Sequence, residues 1–156
     1  MSHGTTDIDE DDRKILREVQ RDCTRSLDRI AERVGLSRTT VWNRMQKLVA
    51  NGTIIRQAAI VDARKVGLKQ TFFVTISTSR HDIEWLEVFR SAVVEMPEII
   101  EAHRLAGTTD YLLKVQVTST EAFDNFYKAL VSRVSIFDVS SSLSMEELKH
   151  SLDLPL

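Results

Sequence analysis

The chain has 156 residues, 42% of them hydrophobic, and a formal net charge of -2, which suits one or two small domains with modest cores. Its single cysteine, Cys23, excludes an intrachain disulfide and agrees with a reducing cytoplasm. No apolar run approaches the roughly 18 residues of a membrane span, and the start lacks the charged-then-apolar plan of a secretory leader.

The near-neutral total conceals a division. From Arg13 to Arg56 there are eleven Lys/Arg against four Asp/Glu, and from Val61 to Leu156 ten against fourteen. No acidic side chain occurs between Val34 and Val61. A basic module joined to an acidic one fits phosphate binding by the first alone.

Residues 1–6 read as a disordered tail. Residues 7–22 set Ile8, Ile15, Leu16 and Val19 near one helical face. Asp7, Asp9 and Glu10 cluster at the start, where the helix dipole favours negative charge. Ser26 is placed to cap a second helix with the stripe Leu27, Ile30, Ala31 and Val34, ended by Gly35. Ser37 caps a third helix, whose Val41, Met45 and Leu48 face the core; Asn51-Gly52 closes it. The run TIIRQAAIVD (53–62) reads as a strand. A helix-turn-helix domain is therefore expected over 7–61, followed by a polar linker over 62–70.

The rhythm then changes. TFFVTIST (71–78) is β-branched and aromatic, a strand signal. Residues 82–96 are helical, with Ile83, Leu86, Phe89, Val93 and Met96 on one side, stopped by Pro97. IIEAHRLA (99–106) and YLLKVQV (111–117) are strands around the turn GTTD. Residues 120–134 are helical, capped by Thr120, with Ala122, Phe123, Phe126, Leu130 and Val134 inward. SIFDVSSSLSM (135–145) is the last strand. The order β-α-β-β-α-β is the ferredoxin-like plan, so 71–156 form a second domain and the fold class is α+β. Its sheet has helices on one face only, and packing against the sheet of a second copy is the simplest way to cover the other.

In a helix-turn-helix the N-terminal residues of the second helix point at base edges. That puts Ser37, Arg38, Thr39 and Thr40 at the DNA. Arg38 suits a bidentate contact to guanine and Asn43 to adenine, while Thr39 and Thr40 suit a phosphate or a thymine methyl. Arg44 and Lys47, further along, suit phosphates. Trp42 reads as packing the helix against its neighbour. In the turn Gly107-Thr108-Thr109-Asp110, the glycine permits a positive φ. A Gly-led turn also exposes N–H groups that suit a small carboxylate, and Asp110 could accept from an ammonium group or brace the turn. The four histidines show no metal-ligand spacing, no CxxC, HExxH, P-loop or GxGxxG occurs, and no catalytic triad can be assembled. No cofactor or metal is expected, and no enzymatic activity.

DEDDRKILREVQRD, IAERVGLSRTTVWNRMQKLVANGTI, GTTDYLLKV and a tail ending LPL, in this order, resemble the Lrp/AsnC (feast/famine) family of transcription regulators over essentially the whole chain. The resemblance implies a sequence-specific regulator of duplex DNA, cytoplasmic and associated with the nucleoid, in which dimers build tetramers or octamers. It also implies a small effector, usually an amino acid, bound between dimers, with the last strand contributing near Ser140, Ser141 and Ser142. The family loop is usually G-x-Y-D-Y; here Thr109 replaces its aromatic, and His103 stands where many relatives carry a pocket-lining residue. Two alternatives share the plan: an architectural DNA-compacting protein without an effector, and an enzyme resembling the sirohaem decarboxylases, in which His103 would take part.

Overall fold

The computed structural model describes residues 8–79 and 82–156. The tail 1–6, the acidic Asp7, His3 and His81 lie outside them. The chain forms two compact units, Val61–Leu148 on the one hand and the residues up to Ile60 with Lys149–Leu156 on the other. The last eight residues, expected in the second domain, thus pack with the first.

In the helical unit, α1 spans Glu10–Arg21, α2 Leu27–Val34 and α3 Arg38–Ala50. Each begins on a side chain that satisfies an orphan N–H. Asp9 accepts from the Asp12 N–H at 2.8 Å, Ser26 from Arg29 at 3.3 Å and Ser37 from Thr40 at 3.1 Å. Gly35 ends α2 at φ 71°, a left-handed conformation that favours glycine. Ile15, Ile30, Ala31, Val34 and Val41 make the small core, with Val19, Leu27, Leu36 and Met45 packed against it.

Buried polar groups tie these helices together. Glu18 is almost fully buried on α1. It accepts from Arg33 of α2 and from Arg25 and Arg21. The Arg33 hydrogen bond is the main cause that holds its carboxyl below the usual range, against the opposing effect of burial. The C-terminal tail clips onto α1. Gln20 donates to the Leu154 carbonyl at 3.4 Å and accepts from the Leu154 N–H at 2.7 Å, and Arg17 Nε donates to the Leu156 carbonyl at 2.7 Å.

The run 53–62 forms no strand, contrary to its sequence pattern. Ile55, Ile60 and Val61 are exposed by 90%, 73% and 62%. A strand needs a ladder partner, and among the described residues this run pairs with none: the four strands of the sheet pair only with one another. A short 3-10 turn, Ala63–Val66, follows, closed by Gly67 at φ 89°.

The second unit has the order β1 (Gln70–Ser77), α4 (Ile83–Glu95), β2 (Ile99–Arg104), β3 (Tyr111–Val117), α5 (Thr120–Arg133), β4 (Asp138–Leu143). The strands form one antiparallel sheet in the order β2-β3-β1-β4, as the ferredoxin-like plan requires. Alternation fixes the faces. Phe72, Val74, Ile76, Leu113, Val115 and Val117 are buried beneath Trp85, Phe89 and Ala92 of α4 and Phe126 and Leu130 of α5. Trp85 stacks on Phe89 at 5.1 Å, Phe89 meets Tyr111 at 4.5 Å, and the Trp85 indole donates to the Ser135 carbonyl at 2.6 Å. Two details differ from the sequence pattern. Ile83, expected inward, is 74% exposed while Trp85 takes the core position. Ser119, one residue before Thr120, caps α5 by accepting from the Ala122 N–H at 3.1 Å.

The other face of the sheet carries a mixed surface of Thr71, Phe73, Thr75, Leu112, Lys114 and Gln116, flanked by Glu101 and His103 on β2 and by Ser140 and Ser142 on β4. Phe73 is 39% exposed there.

Candidate nucleic-acid interface and effector turn

Val41 and Leu48 turn one side of α3 fully into the core. With 3.6 residues per turn, the opposite side carries Thr39, Trp42, Asn43 and Gln46 at i, i+3, i+4 and i+7. All four are exposed, as are Ser37, Arg38 and Lys47. No acidic residue lies on α3. Among the described residues, no side-chain hydrogen bond or ion pair engages Asn43, Gln46 or Lys47. Ser37 and Thr40 are partly committed to local order, since their hydroxyls lie 2.8 Å apart at the helix start. Arg38 is 66% exposed and reaches Asp28 only at 3.6 Å, a pairing too solvated to hold it.

Two residues depart from their sequence assignments. Arg44, expected to hold a phosphate, turns back to α1. Its guanidinium donates to both oxygens of Asp9, at 2.9 and 2.7 Å, and to Asp12 at 2.8 Å, with Asp11 at 3.7 Å. Asp12 is 1% exposed. These hydrogen bonds, the one donated to Asp12 first, raise the Arg44 pKa above its ordinary value. They also help hold the Asp9 carboxyl low, behind the hydrogen bond from the Asp12 N–H. Arg44 therefore brackets α3 onto α1. Its signal was absent from local sequence, because its acidic partners lie 32 and 35 residues away. Trp42, expected to pack, is 49% exposed. Gln46, not singled out by the sequence, completes the solvent face at i+7 from Thr39.

In the second unit, Asp110 braces its turn. Its Oδ2 accepts from the Thr78 N–H at 2.8 Å, its own N–H donates to the Ile76 carbonyl at 3.1 Å, and its carbonyl accepts from the Leu105 N–H at 2.8 Å. Gly107 does not adopt the positive φ expected of it; among the described residues only Gly35, Gly52 and Gly67 do. Gly107 and Thr108 are exposed and Thr109 half-buried.

The remaining expected effector residues are spread over the sheet. His103 aligns with Leu112, Thr75 and Ser140 in one cross-strand row. At about 4.8 Å per strand, His103 and Ser140 are roughly 14 Å apart. Ser140 and Ser142 lie on the open face with His103, whereas the intervening Ser141 points to the helix side. His103 is exposed, with Nε2 3.6 Å from Glu101. The Glu101 carboxyl is held below its usual range chiefly by the Lys114 hydrogen bond. A single chain therefore does not bring the turn, His103 and the serines into one pocket. A cleft of about 470 Å³ lies elsewhere, between α5 and the segment leading into β4, lined by Tyr127, Val131 and Phe137 among others. Among the described residues, no group of three His, Cys, Asp or Glu is placed to hold a metal ion, and no helix is long and apolar enough to cross a membrane.

Residues 8–49 match the model of the AsnC-type helix-turn-helix domain, and residues 71–154 that of the Lrp/AsnC ligand binding domain. The chain is 47% identical over 149 residues to a glutamate uptake regulatory protein of Zymomonas mobilis, covering 96% of this chain and 91% of that protein. It superposes with a TM-score of 0.91 on an AsnC family transcriptional regulator from Agrobacterium tumefaciens, 46% identical, covering 94% of this chain and 96% of the other. A transcriptional regulator from Neisseria meningitidis in complex with L-methionine gives 0.89 at 32% identity, with coverage of 94% and 96%.

Proposed function

The chain belongs to the Lrp/AsnC family of transcription regulators, and from that premise we propose that the exposed face of α3 enters the DNA major groove while the second unit senses a small amino acid. The observation that carries this reading is the acid-free solvent face of α3, held by a capped N-terminus and by the Arg44 bracket. Arg38 takes a guanine edge, Asn43 an adenine edge, Thr39 a thymine methyl or a phosphate, and Lys47 a phosphate. Ser37 and Thr40 offer the helix start to the backbone of the duplex.

The amino-acid effector is supported by the likeness to the regulator solved with L-methionine. Asp110 contributes through Oδ1, since Oδ2 is occupied by the Thr78 N–H. The scatter of the turn, His103 and Ser140–Ser142 over one chain supports a pocket completed by a second copy. The open sheet face, with Phe73 and Leu112 among polar neighbours, covers itself in a homodimer, and dimers assemble to tetramers or octamers. An effector alters DNA binding only through its differential affinity for two assemblies. In the cell, the protein sits on the nucleoid.

The test is a thermal-shift panel of the twenty amino acids on the purified protein, followed by DNA binding with and without the hit. A ligand that binds the native state raises the melting temperature by mass action. A shift from at least one amino acid that also changes DNA affinity or assembly supports the reading. DNA binding with no response to any of the twenty removes the amino-acid effector and leaves an architectural role.

A further inference from the structure

We propose that Trp42 and Gln46 are specificity-determining DNA contacts: Trp42 covers a thymine C5-methyl and Gln46 reads a nearby adenine. This rests on α3 being the groove-entering helix and extends its reading face beyond Arg38 and Asn43. Trp42 is half exposed, while Val41 beside it on α3 is fully buried. An indole left in water in the middle of a helix forgoes its large burial gain. Here it sits between Thr39 and Gln46 on the side away from Val41 and Leu48.

The surroundings select nucleic acid as the occupant of this face. It carries neutral hydrogen-bonding side chains at Thr39, Asn43 and Gln46 and the cations Arg38 and Lys47, and no carboxylate that would repel phosphates. A carboxamide matches adenine N6 and N7 in a bidentate pair, and an apolar side chain matches the thymine methyl. Trp42 and Gln46 are one helical turn apart, about 6 Å along the axis, so both fall within two or three base pairs. A·T-containing steps are therefore favoured under the middle of α3.

The chain has two tryptophans, and they separate cleanly. Trp85 is 4% exposed in the other unit. A Trp85→Phe variant makes Trp42 the sole indole reporter. Duplex selected from a randomised pool is labelled, and its binding is followed by anisotropy in parallel with the Trp42 emission. The expected result is a blue shift or quench of Trp42 that saturates with the anisotropy. Replacing thymidine by deoxyuridine through the site should weaken wild-type binding about fourfold at one position, the worth of one buried methyl. Trp42→Ala should be insensitive to that replacement, and Gln46→Ala should lose about tenfold of its preference at one A·T pair. Trp42→Phe, with its aromatic ring kept, guards against simple misfolding and should retain part of the methyl effect. DNA that binds with no change in Trp42 emission and tolerates deoxyuridine everywhere overturns the inference while leaving the helix-turn-helix reading intact. Failure of any duplex to bind overturns both.

Discussion

Replacing Arg44 distinguishes a structural bracket from a phosphate contact. Arg44→Met keeps most of the aliphatic stem and removes the guanidinium that joins α3 to Asp9 and Asp12. Asp12 then stays buried at 1% exposure without its cation. Breaking a fully buried pair from one side costs roughly 3–5 kcal/mol. The Arg44 side chain is 26% exposed, so water partly replaces it, and about 2–3 kcal/mol is expected. With a urea slope of about 2 kcal/mol/M, the midpoint of the helical signal should fall by about 1–1.5 M. Asp12→Asn in the same chain removes the stranded charge and should recover part of that loss. DNA affinity measured against salt should keep its slope, because no phosphate contact is lost. An unchanged urea midpoint together with a slope smaller by about 0.9, the signature of one missing phosphate contact, would refute the bracket.

Other outcomes follow from the same geometry. Ser37→Ala removes the acceptor of the Thr40 N–H and should cost about 1 kcal/mol in chemical denaturation. Asp110→Asn retains an oxygen for the Thr78 N–H, so it should melt near wild type while losing any amino-acid thermal shift; Asp110→Ala should lose the shift and about 1–2 kcal/mol of stability as well. Acid should loosen the helical unit. The Glu18 carboxyl is lowered from 4.5 chiefly by Arg33, so the unfolded state binds its proton first as pH falls. That stability is complete above about pH 4.5 and is lost as pH falls through the lower folded value. A pH series of urea midpoints should show this decline, flattened in Glu18→Gln.

Much of the fold was legible because its determinants are local. The Ser26 and Ser37 caps and the Gly35 stop each satisfy backbone groups within a few residues, and the alternation in β1 and β3 directly encodes which face is buried. Pairing over distance was not legible. The strand-like run 53–62 has the right composition but pairs with no strand of the sheet. Arg44 looks like any helix-surface cation until α1 folds Asp9 and Asp12 against it. Ser140–Ser142 read as one polar cluster, although the pleat sends Ser141 to the opposite face. In α4 the apolar residues fit more than one stripe, and the aromatic pocket of Phe89 and Tyr111 selected Trp85 over Ile83. The exposed Trp42 shows the same limit, since hydrophobic character alone cannot tell a core position from a reading face.

The most direct measurement of the central claim is the salt dependence of binding to a selected duplex, for the wild type and for Arg38→Ala combined with Lys47→Ala. Binding through the α3 face predicts a steep fall of affinity with salt in the wild type. In the variant it predicts weaker binding and a slope shallower by about 0.9 for each phosphate contact removed. Equal affinities and equal slopes would mean that DNA, if bound, is held by some other surface, and would contradict the account.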